Sequence, residues 1–231
     1  KTFEYFSGYG FNKSHAVGYS LLSFQCAWLL NYHPDEWLAA FLNKEPEGRK
    51  ERAINIVKNL GYEIQEASIN SSGQSWHISS DGKLVQPLTS IKGLGEKALE
   101  QILAHRPFKT VEEFLFNEDI SYSKLNKKAL DVLIRSGACD DLADDRFNHC
   151  KHFWLSAASD RPKSKKKLDE NILKYASESN FTEEERIENI VSLTGIFPFE
   201  LVLDKKVRER IEVNCVPPIA QFDEALRICW F

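Results

Sequence analysis

The stretch Ile91-Lys92-Gly93-Leu94-Gly95-Glu96-Lys97-Ala98 constrains the fold more than any other part of the chain. An apolar residue, a Gly-x-Gly turn and an Ala-led helix start describe two short helices joined by a tight reversal, a helix–hairpin–helix. Gly93 and Gly95 are expected to take backbone angles closed to residues with a Cβ and to let the chain come close to a ligand. The helix starting near Glu96 then presents unpaired N–H groups and the positive end of its dipole, about half a unit charge. A phosphate oxygen suits that position. Lys92 and Lys97 flank the turn and are placed to add charge-assisted contacts to a nucleic-acid backbone, which hold a duplex without reading its sequence. Taken alone, the octapeptide equally fits a Gly-rich turn in an ordinary helical bundle.

With 231 residues and 42% apolar content, the chain has enough material for a real core and for two or three modules. No stretch approaches the roughly 18 unbroken apolar residues of a membrane helix, so no membrane partner is expected. No basic-then-apolar leader opens the chain. The five cysteines are irregularly spaced with no Cys-x-x-Cys, which predicts reduced thiols and a cytoplasmic location. Methionine is absent, even at position 1, where Lys stands, so the chain is expected to be a piece of a longer protein. A net charge of −4 argues against a wholly basic nucleic-acid binder but leaves room for local basic surfaces. Lys124, Lys127 and Lys128 make one. The run from Arg161 to Lys167 makes another and reads better as a solvated linker than as a binding stripe.

The fold class read from the pattern is mainly α. Residues 11 to 33 open with polar Asn12-Lys13-Ser14-His15, with Asn12 or Ser14 as a helix cap, and carry Val17, Leu21, Phe24, Trp28 and Leu29 at helical spacing. Pro34, followed by Asp35 and Glu36, suits the start of a second helix. A third helix near Glu47 to Leu60 points Ala53, Ile54, Val57 and Leu60 inward and stops at Gly61. Trp76 to Ser79 and Lys83 to Gln86 predict a small β-hairpin through Asp81-Gly82, a pair that favours the tight mirror-image turn. Helical pattern returns at Leu88 to Ile91, Glu96 to Ala104, Val111 to Phe116 with Thr110 as cap, and Leu125 to Ser136. Residues 144 to 179 are polar, with one apolar island at Phe153-Trp154-Leu155. Thr182 with Glu185 forms a capping box ahead of Ile187, Ile190, Val191 and Leu193. Leu226 to Phe231 resembles a β-strand without its partners.

Lys13, Ser14 and His15 at a helix start form a possible anion site, though an ordinary capped helix with a surface Lys and His explains them as well. His149, Cys150 and His152 lack the second ligand pair that a structural zinc requires. No carboxylate pair or nucleophile–base pair stands out, so no chemistry is expected within this segment.

Read in order, these segments resemble one family. Phe11-Asn12-Lys13-Ser14-His15-Ala16 with Tyr19, then His33-Pro34 and Trp37-Leu38-Ala39-Ala40, is similar to the fingers of the C-family replicative DNA polymerases of bacteria, the alpha subunits of DNA polymerase III. Ile69-Asn70-Ser71-Ser72, the glycine octapeptide, Phe108 with Val111-Glu112-Glu113-Phe114, and Leu125 to Ala138 follow as that family's next landmarks. Leu193-Thr194-Gly195-Ile196-Phe197-Pro198 resembles the segment before its OB domain.

The resemblance implies five parts: a fingers tail at 1–66, a duplex-binding helix–hairpin–helix domain at 67–142, a polar connector at 143–182, a helical segment at 183–225 and an opening OB strand at 226–231. It implies that Lys13, Ser14 and His15 meet the incoming deoxynucleotide's phosphates. Lys92, Gly93, Leu94, Gly95 and Lys97 would grip the primer–template duplex, with Asn126, Lys127 and Lys128 in a degenerate second unit. The catalytic aspartates and their Mg2+ would belong to a palm upstream of position 1, so this segment has no catalytic residue, metal or cofactor of its own and is inactive alone. No glutamine-led apolar-aromatic peptide occurs between 143 and 182, and Gln221-Phe222 is a poor substitute, so a sliding clamp has no clear docking peptide. The alternative function is a non-catalytic helix–hairpin–helix DNA-binding module of a repair protein; a helical protein-interaction module is a third.

Overall fold

The computed structural model of the chain describes residues 13–197. The expected Asn12 cap, the strand at Leu226 to Phe231, the Gln221-Phe222 pair, Cys215 and Cys229 lie outside those residues. The described part is mainly α with one small sheet, as the pattern predicted.

Helix α1 (Lys13–Tyr32) carries the expected stripe, but the stripe is uncovered among the described residues: Val17, Leu21, Phe24, Trp28 and Leu29 are 37% to 67% exposed. Ser14 lies inside the helix and is not its cap. Pro34 opens α2 (Pro34–Lys44), where its missing N–H costs nothing and Asp35 and Glu36 meet the positive end of the helix. Leu38, Ala39 and Leu42 of α2 pack on Ala53, Ile54 and Val57 of α3 (Glu47–Asn59). Leu60, expected on the inward stripe, is 52% exposed, because the helix has ended at Asn59 and the chain turns at Gly61.

Strands β1 (Ile64–Gln65), β2 (His77–Ile78) and β3 (Leu84–Val85) form a sheet in the order β1-β3-β2. β3 runs parallel to β1, with Ile64 opposite Leu84, and antiparallel to β2, with His77 opposite Val85. The predicted hairpin is present, but its turn is wider than the two-residue mirror-image form. Ser79 N–H donates to Lys83 O at 2.9 Å and Gly82 N–H to Ser79 O at 3.0 Å, so Ser80, Asp81 and Gly82 make a three-residue loop. The Ser79 hydroxyl holds that width by accepting the Lys83 amide at 3.1 Å. Trp76 and Leu84 join the α2–α3 core, and Asn43 fastens the two parts by pairing through its side-chain amide with both the N–H and the C=O of Trp76.

A second, larger core gathers Ile69, Leu88, Ile91 and Phe108 with α4 (Glu96–His105), α5 (Val111–Leu115) and α6 (Lys127–Arg135). Each Leu, Ile or Phe taken out of water there contributes about 1.5–3 kcal/mol. Asn70 repeats the Asn43 device, donating to Phe108 O at 2.9 Å and accepting from Phe108 N at 2.8 Å. Thr110 caps α5 as predicted, with its hydroxyl accepting the Glu113 amide.

Residues 143–182, read from sequence as a polar connector, fold onto this second core. Helix α7 (Cys150–Trp154), a π-type turn (Leu155–Ser159) and α8 (Lys165–Tyr175) bury Phe153, Ala157, Ala158 and Leu168. The apolar residues are few, but their spacing puts them on one face. Asn171 locks α8 down, donating to Ser156 O at 3.1 Å and to Asp160 O at 2.6 Å. The predicted capping box starts α9 (Glu183–Thr194), which docks on α6 where Arg135 Nε donates to Asn189 Oδ1 at 2.9 Å.

Candidate nucleic-acid interface

The glycine turn reverses the chain at Gly93, whose φ of +89° is closed to most side chains. A Cβ there would also stand 3.4 Å from Val132 Cγ1 and 3.7 Å from Lys128 Cε, because the turn packs against α6. Gly95 departs from expectation. Its φ of −76° and ψ of 145° are open to any residue, and a Cβ there meets nothing within 4 Å. Its absent side chain leaves space in front of α4 instead of permitting a special backbone angle.

Two of the loop's amides are spoken for by the fold. Lys92 N–H donates to Leu193 O at 2.8 Å, and Leu94 N–H to Ile91 O at 3.2 Å. The Lys92 and Leu94 main chains therefore hold the turn in place, and Leu94 packs its side chain against the core. The amides of Gly93, Gly95, Glu96 and Lys97 donate to no acceptor among the described residues. They face a cleft.

That cleft, about 830 Å³, is shared by the two hairpins. Gly93, Gly95, Glu96 and Lys97 line one side. Ser123, Lys124, Asn126 and Lys128 line the other. Gly93-Leu94-Gly95-Glu96-Lys97-Ala98-Leu99 aligns with Lys124-Leu125-Asn126-Lys127-Lys128-Ala129-Leu130, and the backbone of the helix start repeats with the sequence. Leu99 N–H bonds Gly95 O as Leu130 N–H bonds Asn126 O, and both Ala-Leu pairs are buried. The duplication puts Lys97 and Lys128 at matching positions, one on each wall. Lys124, which was not among the expected contacts of the second unit, lines the cleft, whereas Lys92 and Lys127 do not. Aligning the two heptapeptides would have identified Lys124 as the counterpart of Gly93. Glu96 and Glu100 temper the charge, leaving three cations against two carboxylates on the lining.

The two helix starts are finished differently. Asn126 accepts the Ala129 amide on its side chain at 2.9 Å, while Gly95 has only its carbonyl to offer Ala98, at 3.0 Å. Arg146 pins α5, which links the hairpins, by donating to Glu112 Oε1 and Asp144 Oδ2, each at 2.7 Å. Both carboxyls are held below their ordinary range by the Arg146 hydrogen bonds.

Lys13, Ser14 and His15 form an exposed first turn of α1, with the His15 ring 4.3 Å from that of Tyr19. They sit on a different element from the cleft. His149 and His152 serve as structural linkers. His149 Nδ1 accepts the His152 amide at 3.0 Å and its Nε2 meets Glu178 O, while His152 Nδ1 accepts the Asn148 amide and its Nε2 meets Ile172 O. Every ring nitrogen has a backbone partner, and among the described residues no His, Cys, Asp and Glu group is arranged to hold a metal. No described helix is long and apolar enough to cross a membrane.

Residues 61–149 match the helix–hairpin–helix motif family. Over 144 residues, 60% of the chain, it is 37% identical to the DNA polymerase III subunit alpha of Pseudomonas fluorescens. Over 221 residues, 93% of the chain, it is 31% identical to the protein of that name in Buchnera aphidicola. For Escherichia coli K12 the figures are 35% over 150 residues. The matches cover 12%, 17% and 13% of those proteins, so the chain spans only a small part of their length. The likeness expected from the order of the landmarks is shown.

Proposed function

We propose that this chain is the part of a replicative DNA polymerase that grips the primer–template duplex, together with the end of the fingers that reaches toward the incoming nucleotide. The observation that carries the reading is the set of unbonded amides at Gly93, Gly95, Glu96 and Lys97, residues that line a cleft whose far wall repeats the same motif with Lys124 and Lys128. Paired helix starts with matched lysines suit the two backbones of a duplex, whose phosphates they contact without reading bases. Likeness to polymerase alpha subunits supports this over a repair-protein module, because it extends through the helices before the hairpins. Lys13, Ser14 and His15 would face the nucleotide's phosphates at the start of α1. The parent enzyme would join deoxynucleotides using Mg2+ held outside this segment, whose own part is to hold and position.

The test is a salt titration of duplex binding. Replacing Lys97 and Lys128 together by Ala should weaken binding equally on unrelated sequences and lower the slope of log K against log salt by about 0.9 for each lost contact. An unchanged slope would remove the duplex reading. In the intact parent polymerase, Lys13→Ala should raise the apparent KM for nucleotide; a loss confined to primer–template affinity would reject that role.

A further inference from the structure

The run Arg161-Pro162-Lys163-Ser164-Lys165-Lys166-Lys167 contains five cations and no acid, and the sequence alone makes it a linker. In the fold it is tied to the second hairpin. The Arg161 guanidinium lies 3.6 Å over the Tyr122 ring and donates through Nη1 to Tyr122 O at 3.0 Å. Tyr122 immediately precedes Ser123 and Lys124, which line the cleft. Arg161 itself is half-buried, and desolvation lowers its pKa from the ordinary guanidinium value, so the anchor is packed and not merely near.

Beyond the anchor the chain turns into α8 with Ser164 as its cap, and Lys165, Lys166 and Lys167 occupy its first turn. Cations there oppose the positive end of the helix dipole, where Asp or Glu is favoured. Lys167 meets Glu170 at 3.4 Å, but Lys163, Lys165 and Lys166 are exposed and pair with no carboxylate among the described residues. Two unneutralised lysines, Lys165 and Lys166, are thus held where they weaken their own helix, with Lys163 just before its cap, next to the second hairpin. Local rules broken without internal compensation mark functional surfaces.

We propose that Lys163, Lys165 and Lys166 form a second phosphate-backbone contact, continuous with the hairpin cleft through the Arg161–Tyr122 stack, that lengthens the duplex footprint of this protein. The inference rests on the duplex reading of the cleft. Arg161 is a positioning residue: it holds the start of α8 against the second hairpin.

The experiment is a salt titration of the full chain on one duplex with four variants: Lys163→Ala/Lys165→Ala/Lys166→Ala, Lys97→Ala/Lys128→Ala, Arg161→Ala, and Arg161→Ala in the triple-Ala background. The triple variant should lower the salt slope by about 0.9 per lost contact and weaken binding by about tenfold at low salt. Its melting temperature should be equal to or above that of the parent chain, since repulsion at the helix start is relieved, and this separates lost contact from lost fold. Arg161→Ala should weaken binding in the native background and add little in the triple-Ala background. If the triple variant binds as the parent does while the cleft variant is weakened, the proposal is wrong and the cleft reading stands. If neither variant changes binding, both fail.

Discussion

The two hairpins that line the cleft share a heptapeptide pattern and the backbone of the helix start, yet they cap those starts with different groups. At the first, Gly95 contributes no side chain, and four residues lining the cleft have amides without acceptors among the described residues. At the second, the Asn126 side chain takes the Ala129 amide and occupies the space that the glycine leaves open. The amides of Asn126, Lys127 and Lys128 are as free of acceptors among the described residues as those of Gly95, Glu96 and Lys97, so the copies differ in the cap and at Gly93, whose counterpart Lys124 donates to Ser121 O at 2.9 Å. The duplicated motif keeps an open helix start in both copies and adds a side-chain cap to one of them.

The largest test of that contrast is Gly93→Val. The left-handed backbone and the 3.4 Å approach to Val132 should cost about 1–3 kcal/mol in chemical denaturation. Parent-like stability would mean that the turn is not built as described. Next comes Asn126→Ala, which removes the cap and should cost about 1 kcal/mol, whereas Asn126→Gly, making the second start like the first, should cost only a few tenths. Equal losses would show that the Asn126 cap contributes by something other than the Ala129 hydrogen bond. Gly95→Ala should barely move the melting temperature, because its backbone suits Ala and the new methyl meets nothing. It should nevertheless weaken duplex binding by standing over the bare amides. A change in stability with binding intact would reverse the roles assigned to the two glycines. The smallest effect concerns the link between the hairpins. Arg146 lowers the pKa of Glu112 and Asp144, so the stability it adds is present above the ordinary carboxylate range and fades as pH falls through the depressed values. Because these groups are partly exposed, Arg146→Ala should produce only a slight loss at neutral pH and none in acid. A constant loss down to low pH would assign it to packing.

Helix α1 and residues 150–175 show where sequence reading succeeds and where it stops. The periodicity of α1 was plain, and the helix is there, but Phe24 at 67% exposed meets no cover among the described residues. Residues 150–175 look like a charged connector, yet Phe153, Ala157, Leu168 and Asn171 are buried. Periodicity reports which face is apolar. It is silent on whether a partner surface reaches that face, and a short stripe of four residues in a lysine-rich stretch is too weak to stand out. Capping signals fared better. Thr110 and Thr182 each bond the amide three residues on, because that geometry depends on neighbours alone; the Asn126 cap went unread, and Ser14 lies inside its helix. The cleft was half legible: Lys97, Gly93, Gly95, Asn126 and Lys128 line it, while Lys124 was read only as part of a basic surface and not as a contact.

What the sequence determined by itself is local: helix starts, the turn at Gly93, the capping box at Thr182, the order of landmarks shared with polymerase alpha subunits. These depend on dihedral preferences and hydrogen bonds between residues a few positions apart. Only the tertiary structure decided which amides remain open, that Leu193 rather than a ligand takes the Lys92 amide, and that Tyr122 holds Arg161. Those outcomes turn on groups distant in the chain meeting in space, where solvent is excluded and each donor must find its acceptor.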